Sequence, residues 1–205
     1  PTIGAIAAGN ISGPRRIYSG AARDSLIGVR FVNGRGEVIK NGGRVMKNVT
    51  GLDLVKLQAG AWGTLGVLTE VIFKVLPKPD VTNTLIFPGL DDQTAVQAMC
   101  AALGTPFEVT GAAHQPGPGN EKLGSKTFLR IEGTKESVAY RVDRLADALS
   151  DFGTPAVLKG QDSDGLWMSL RDVHNLLEPK DHAVWRVSVV PTLSPDLVDA
   201  SGATN

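Results

Sequence analysis

"TIGAIAAGNISGPRR", residues 2–16, opens on small apolar residues and glycine, then turns cationic at Arg15-Arg16. Gly4, Gly9 and Gly13 permit close backbone approach and positive φ, while Ala5, Ala7 and Ala8 keep side chains short. Such a loop can aim backbone N–H groups at a phosphate, with the arginines supplying charge. Alone, it reads equally well as a glycine-rich surface loop. A second stretch bears on the choice: "GGRVMKNVTGLDLVKLQAGAWGTLGVLTEV", residues 42–71. Here Gly60, Gly63 and Gly66 recur every three residues just before a strand. The dinucleotide fingerprint follows a strand and opens a helix, so this is a different device. It reads either as a tight backbone path against a flat ligand or as a chain of turns.

Composition narrows the classes. The 205 residues suffice for one large domain or two small ones. A formal net charge of zero argues against broad electrostatic binding of nucleic acid. Cys100 is the sole cysteine, which excludes an intrachain disulfide and a cysteine-rich metal or iron–sulfur site. No apolar run is long enough to cross a bilayer, because Glu70 and Lys74 interrupt the best one. No signal peptide is read, and a chain opening on Pro1 is expected to be part of a longer protein.

Periodicity divides the chain near Pro77-Lys78-Pro79. Before it, "SLIGVRFVN" and "EVIK" read as strands with a hairpin turn at Asn33-Gly34, and "LDLVKLQAG" as a short helix ended by Gly60. "VLTEVIFKVLP" alternates, with Val71, Phe73 and Val75 opposite Glu70 and Lys74. After it, "VTNTLIFPG", "FEVTGAAH", "KTFLRIEG", "PAVLKG" and "HAVWRVSVVP" read as strands. "DDQTAVQAMCAALG" reads as a helix capped by Asp91 or Asp92 and stopped at Gly104. In "TKESVAYRVDRLADALSDFG", Val138, Val142, Leu145, Leu149 and Phe152 share one helix face. "PGPGNEKLGS" is a loop, "SDGLWMSLRDVHNLLEPKD" gives mixed helical signals, and the tail from Leu193 has no evident core. The order βαββαβ predicts a split βαβ sandwich, with helices on one side of an antiparallel sheet.

Together the two stretches resemble the vanillyl-alcohol oxidase/p-cresol methylhydroxylase type of FAD-linked oxidoreductases. "TIGA", "NISGPRR", Arg23-Asp24, "KNVTGLDL" and "GAWGTLGVLTEV" carry the resemblance. It is dense over residues 2–79 and looser beyond. The narrower match, through "SGPRR", "GGRVMKNVTGLDL" and "GTLGVLTEVIFKVLPKP", is to flavin-binding subunits of bacterial glycolate oxidase. The resemblance implies an α+β chain. Residues 1–78 would be the second part of the FAD-binding domain, and 79–205 a ferredoxin-like cap with its C-terminal strands cut short. It places Thr2, Ile3, Gly4, Ala5, Ala8, Gly9, Asn10, Ser12 and Gly13 along the FAD pyrophosphate and flavin. It also places Arg23, Asp24, Gly66, Val67 and Leu68 around the cofactor. Lys47 and Asp53 are expected as structural partners.

The family pattern is not met everywhere. Ala5 replaces a glycine, Leu52 a tyrosine and Ala61 a serine. The first FAD subdomain, with its own pyrophosphate loop, is expected upstream of residue 1, so FAD should be weakly held or missing in this chain. A His-x-Gly-Asp-Gly-Asn motif of related 2-hydroxy-acid dehydrogenases is absent. His114, His174 and His182 are therefore expected as surface or loop residues, and no catalytic base or metal ligand is nominated. Trp62, Trp167 and Trp185 are expected in the core or at an interface. The implied activity is oxidation of glycolate, a 2-hydroxy acid, with electrons passing through flavin. The implied partners are a related flavin subunit and an iron–sulfur subunit, in the cytoplasm with peripheral inner-membrane association. The alternative is a scaffold subunit whose flavin domain has degenerated.

Overall fold

The computed structural model of the chain describes residues 2–45, 51–117, 124–176 and 183–201. The chain forms two compact units, residues 1–78 and 79–205.

The first unit is built on strand β1 (Leu26–Val32), paired antiparallel with β2 (Val38–Gly42) on one side and β3 (Val67–Phe73) on the other. Apolar β-branched and aromatic residues suit β1's central place, and Leu26, Val29 and Phe31 are buried with Val55 and Ala7. The hairpin turn spans residues 33–37. The Asn33 side-chain carbonyl accepts from the N–H groups of Arg35 (2.9 Å) and Glu37 (3.0 Å), and Gly36, rather than Gly34, takes the positive φ of 78°. In β3 a register shift between Arg30 and Phe31 moves the inward set, so Leu68, Val71 and Phe73 all reach the core. Val75 lies beyond the strand and is exposed, unlike its expected place on that face.

The 2–16 stretch is the main departure here. Residues Ile3–Gly9 form helix α1, not a loop. Thr2 caps it, its Oγ1 accepting from the Ala5 N–H at 3.2 Å, and Asn10 ends it in the left-handed region at φ 49°. Alanine's helix propensity outweighs the glycines once both ends are capped. Two single-turn helices follow, α2 (Arg16–Ser19) and α3 (Ala22–Ser25). Helix α4 (Leu54–Gln58) is capped by Asp53, whose Oδ1 accepts from the Lys56 N–H at 3.0 Å. Lys47 and its neighbours at 46–50 lie outside the described residues.

The second unit contains β4 (Val81–Pro88), α5 (Asp92–Leu103), β5 (Gly111–Gln115), β6 (Lys126–Gly133), α6 (Lys135–Ala148) and β7 (Ala156–Lys159). The sheet order is β5-β6-β4-β7 with every pairing antiparallel, the topology of a ferredoxin-like sandwich. Leu85, Phe87, Leu129 and Ile131 face α5 and α6, meeting Ala95, Ala98, Val138, Val142, Leu145 and Leu149. Each large side chain buried there contributes about 1.5–3 kcal/mol. Asp91 caps α5, its Oδ1 accepting from the Thr94 N–H at 2.7 Å. Thr134 precedes α6 without a side-chain cap bond.

The sheet's other face is also covered. Helix α7 (Gly160–Arg171) packs there through Trp167 and Ser163. Trp167 Nε1 donates to Thr84 Oγ1 at 2.8 Å, Thr84 Oγ1 meets Ser163 Oγ at 2.7 Å, and the Arg130 guanidinium lies 4.4 Å over the indole. The expected one-sided sandwich is thus corrected by a helix whose Trp167 and Ser163 satisfy the strand residue Thr84. The strand expected from Phe107 begins only at Gly111, because Glu108 sits at φ 50°. The strand expected over "HAVWRVSVVP" is not formed: residues 183–190 carry no strand pairing and are exposed. Helix α8 (Ser194–Ser201) closes the described chain and packs beside α5.

Candidate functional site

The two glycine-rich stretches meet in the first unit. The turn at 59–66 runs along α1, with the Gly60 N–H donating to the Ala7 carbonyl (3.3 Å) and the Trp62 N–H to the Ala8 carbonyl (2.9 Å). Gly60, Trp62 and Gly63 all hold positive φ, at 88°, 54° and 76°. Thr2, Ile3 and Ala5 are exposed on α1, and Gly4, Ala8 and Gly9 partly so.

The glycines divide by what surrounds them. A Cβ on Gly4 would meet nothing closer than Thr2 Oγ1 at 4.0 Å, and one on Gly63 would meet nothing within 4 Å. Internal packing does not require glycine at Gly4, so the small residue leaves space at the surface. Gly66 is the opposite case: at φ 153°, a Cβ would lie 2.6 Å from the Val32 carbonyl oxygen. Gly66 is glycine because β1 is pressed against it. Beyond it Val67 is exposed, while the Leu68 side chain joins the core.

The polar residues singled out from the sequence shape the backbone. Asn10 Oδ1 accepts from the Arg23 N–H (2.8 Å), Ser12 Oγ from the Ala22 N–H (2.9 Å), and Asp24 Oδ2 from the Ala21 N–H (2.8 Å). The first two bonds tie the segment after α1 to α3, the third closes the start of α3, and the Gly13 carbonyl accepts from the Arg16 N–H at 2.9 Å. Arg23 Nε donates to the Lys56 carbonyl at 3.3 Å. Lys56 answers through Nζ, which donates to the carbonyls of Arg23 (2.5 Å) and Leu26 (2.8 Å). Sequence reasoning missed Lys56 and also Asn41. The Asn41 side chain bridges the Leu52 carbonyl (3.2 Å) and the Val55 N–H (3.3 Å). Both act on backbone atoms distant in sequence, so no motif marks them. Asp24, Asn41, Asp53, Lys56 and Lys74 also line a pocket of about 200 Å³.

The described histidines do not build a site. His114 is a half-buried residue of β5, correcting its expected loop or surface position. Its Nε2 lies 3.2 Å from Asp92 Oδ1 and its Nδ1 2.9 Å from Thr127 Oγ1. A carboxylate only accepts, so Nε2 carries the proton and Nδ1 accepts from the threonine. Burial holds the imidazole pKa below its ordinary value, against the opposing pull of Asp92. His174 is exposed, and His182 lies outside the described residues. Among the described residues, no group of three or more His, Cys, Asp or Glu could hold a metal. No helix among them is long and apolar enough to cross a membrane. Of the tryptophans only Trp167 is core; Trp62 and Trp185 are 74% and 85% exposed.

Comparison with known proteins gives a consistent picture. The chain is 30% identical over 210 residues to glycolate oxidase subunit GlcE of Escherichia coli, covering 98% of this chain and 53% of GlcE. It is 42% identical over 85 residues to glycolate oxidase subunit GlcD of Bacillus subtilis, covering 42% of this chain and 18% of GlcD. A D-lactate dehydrogenase of Anaerostipes hadrus is 38% identical over 87 residues, again 42% of this chain and 18% of the relative. The chain therefore spans about half the length of GlcE and less of the others. No family model matches. Among solved structures, alkyldihydroxyacetonephosphate synthase superposes with a TM-score of 0.63 at 20% identity, over 86% of this chain and 38% of that one. The fold is shared with that enzyme.

Proposed function

The chain belongs with GlcE in the FAD-linked oxidoreductase family, and from that premise we propose that it forms one wall of the FAD site in a glycolate-oxidising flavoprotein complex. The observation that carries this reading is the side-by-side placement of α1 and the 59–66 turn. Two stretches some fifty residues apart in sequence present one surface of small residues and left-handed backbone. The space left at Gly4 and Gly63 suits close approach of a flat or phosphate-bearing group.

On this reading residues 1–78 are part of the FAD-binding domain and 79–205 the cap. Thr2, Ile3, Gly4, Ala5, Ala8 and Gly9 line the cofactor. Asn10, Ser12, Gly13, Arg23 and Asp24 fix the path of the chain beside it. Gly66, Val67 and Leu68 approach it through backbone, since the Leu68 side chain faces inward. Bound FAD would accept two electrons and a proton's equivalent from the α-carbon of a 2-hydroxy acid, directly or through a partner flavin. The protein's own part is positioning and exclusion of water. No described residue is assigned as general base. Partners are a GlcD-type flavin subunit and an iron–sulfur subunit, at a cytoplasmic site peripheral to the membrane. The scaffold alternative, with which Ala5 and the absent histidine motif are consistent, is not favoured.

The test is reconstitution with a GlcD-type subunit. FAD retained by the complex above the amount held by the partner alone, and bleached by glycolate under anaerobic conditions, is the expected result. A complex that forms but gains no flavin from this chain would contradict the proposal.

A further inference from the structure

Trp62 has a placement that internal packing does not explain. It is a bulky residue at φ 54°, where glycine, asparagine or aspartate is usual. Gly60 and Gly63, two and one positions away, already supply left-handed freedom to the turn. Its N–H is fixed to the Ala8 carbonyl at 2.9 Å, so the residue is held in place. The ring leans over the end of α1: a Cβ built on Gly9 would lie 3.7 Å from Cη2 and 3.1 Å from Ile11 Cγ1. Even so, 74% of Trp62 remains open to solvent. A strained, anchored and largely uncovered aromatic beside small residues is a feature of ligand clamps.

We infer that Trp62 is a stacking platform for a planar heteroaromatic ring, the isoalloxazine or the adenine of the dinucleotide. The inference rests on the proposed flavin site and adds a side-chain determinant to a surface otherwise made of backbone. Indole offers a wide, polarisable face that stacks on flat heterocycles, and Gly9 beneath it keeps the ring close to α1.

The experiment is calorimetric titration of the chain, up to millimolar ligand, with FAD, riboflavin and ADP. Wild type is compared with Trp62→Ala, Trp62→Phe and Trp62→Gly, each checked for folding by circular dichroism. Trp62→Ala is expected to weaken FAD about tenfold, within the range of ring-stacking losses. Trp62→Phe should retain most of the affinity. Trp62→Gly should melt at a higher temperature, because left-handed backbone is relieved, yet bind as weakly as Trp62→Ala. Loss confined to riboflavin assigns the isoalloxazine; loss confined to ADP assigns the adenine. Equal FAD affinity in all four proteins overturns the inference and leaves the flavin site standing. So does unchanged affinity with lost self-association, which makes Trp62 a protein contact. Wild type that binds none of the three ligands overturns both the inference and the site.

Discussion

Gly42 and Gly66 carry the closest backbone packing of the first unit. At Gly42, φ is 70° and a Cβ would overlap the Ile27 carbonyl oxygen; at Gly66 it would overlap that of Val32. Gly42→Ala and Gly66→Ala should each cost about 3 kcal/mol, measured as a fall in urea midpoint at constant m-value. Gly63→Ala has the strain of positive φ without the collision and should cost about 1 kcal/mol. His114 gives a pH prediction. Its folded pKa lies below the ordinary 6.5, so the unfolded chain binds more protons between the two values. Stability is then complete above about pH 6.5 and falls as pH drops through the folded pKa. Urea midpoints at about pH 7.5 and about pH 5.5 should differ less in His114→Gln than in wild type. An equal or larger difference in the variant would remove His114 from the explanation. The strand read over "FEVTGAAH" already ended on His114, but the histidine's half-buried setting was not legible, because its partners Asp92 and Thr127 are distant in sequence.

Among elements, α5 and α6 were legible because their signals are local. Asp91 caps, Gly104 stops, and Val138, Val142, Leu145 and Leu149 recur at helical spacing. Asp91→Ala should therefore cost about 1 kcal/mol, read as a lower thermal midpoint. Helix α1 was hidden by its glycines, although Thr2 and Asn10 are ordinary cap residues. Helix α7 was obscured because its buried face carries Ser163 and Trp167 in place of an aliphatic stripe. Trp167→Phe keeps the bulk but removes the donor to Thr84, and should cost about 1–2 kcal/mol in denaturant unfolding. A neutral result would mean that the Thr84–Ser163 contact alone satisfies that face. The run at 183–190 has the alternation of a strand, but alternation specifies only a face; a strand also needs an edge to pair with.

For the whole molecule, pattern and resemblance reached different depths. Hydrophobic periodicity yielded the βαββαβ order and its antiparallel sheet, since each element contains its own signal. The surface formed by α1 and the 59–66 turn was legible only as two separate stretches, because the bonds joining them run between backbone atoms. A backbone contact leaves no residue-type signature beyond small size. The same limit hid Lys56 and Asn41, which hold that region together through carbonyls and an amide. The similarity to GlcE runs over 98% of the chain and so spans both units, while the proposed wall lies in the first. The most direct test is an NMR titration of the isotope-labelled chain with FAD, which reads weak binding residue by residue. The account predicts saturable amide shifts clustered at residues 2–13 and 60–68; shifts confined to the second unit, or none at millimolar FAD, would contradict it.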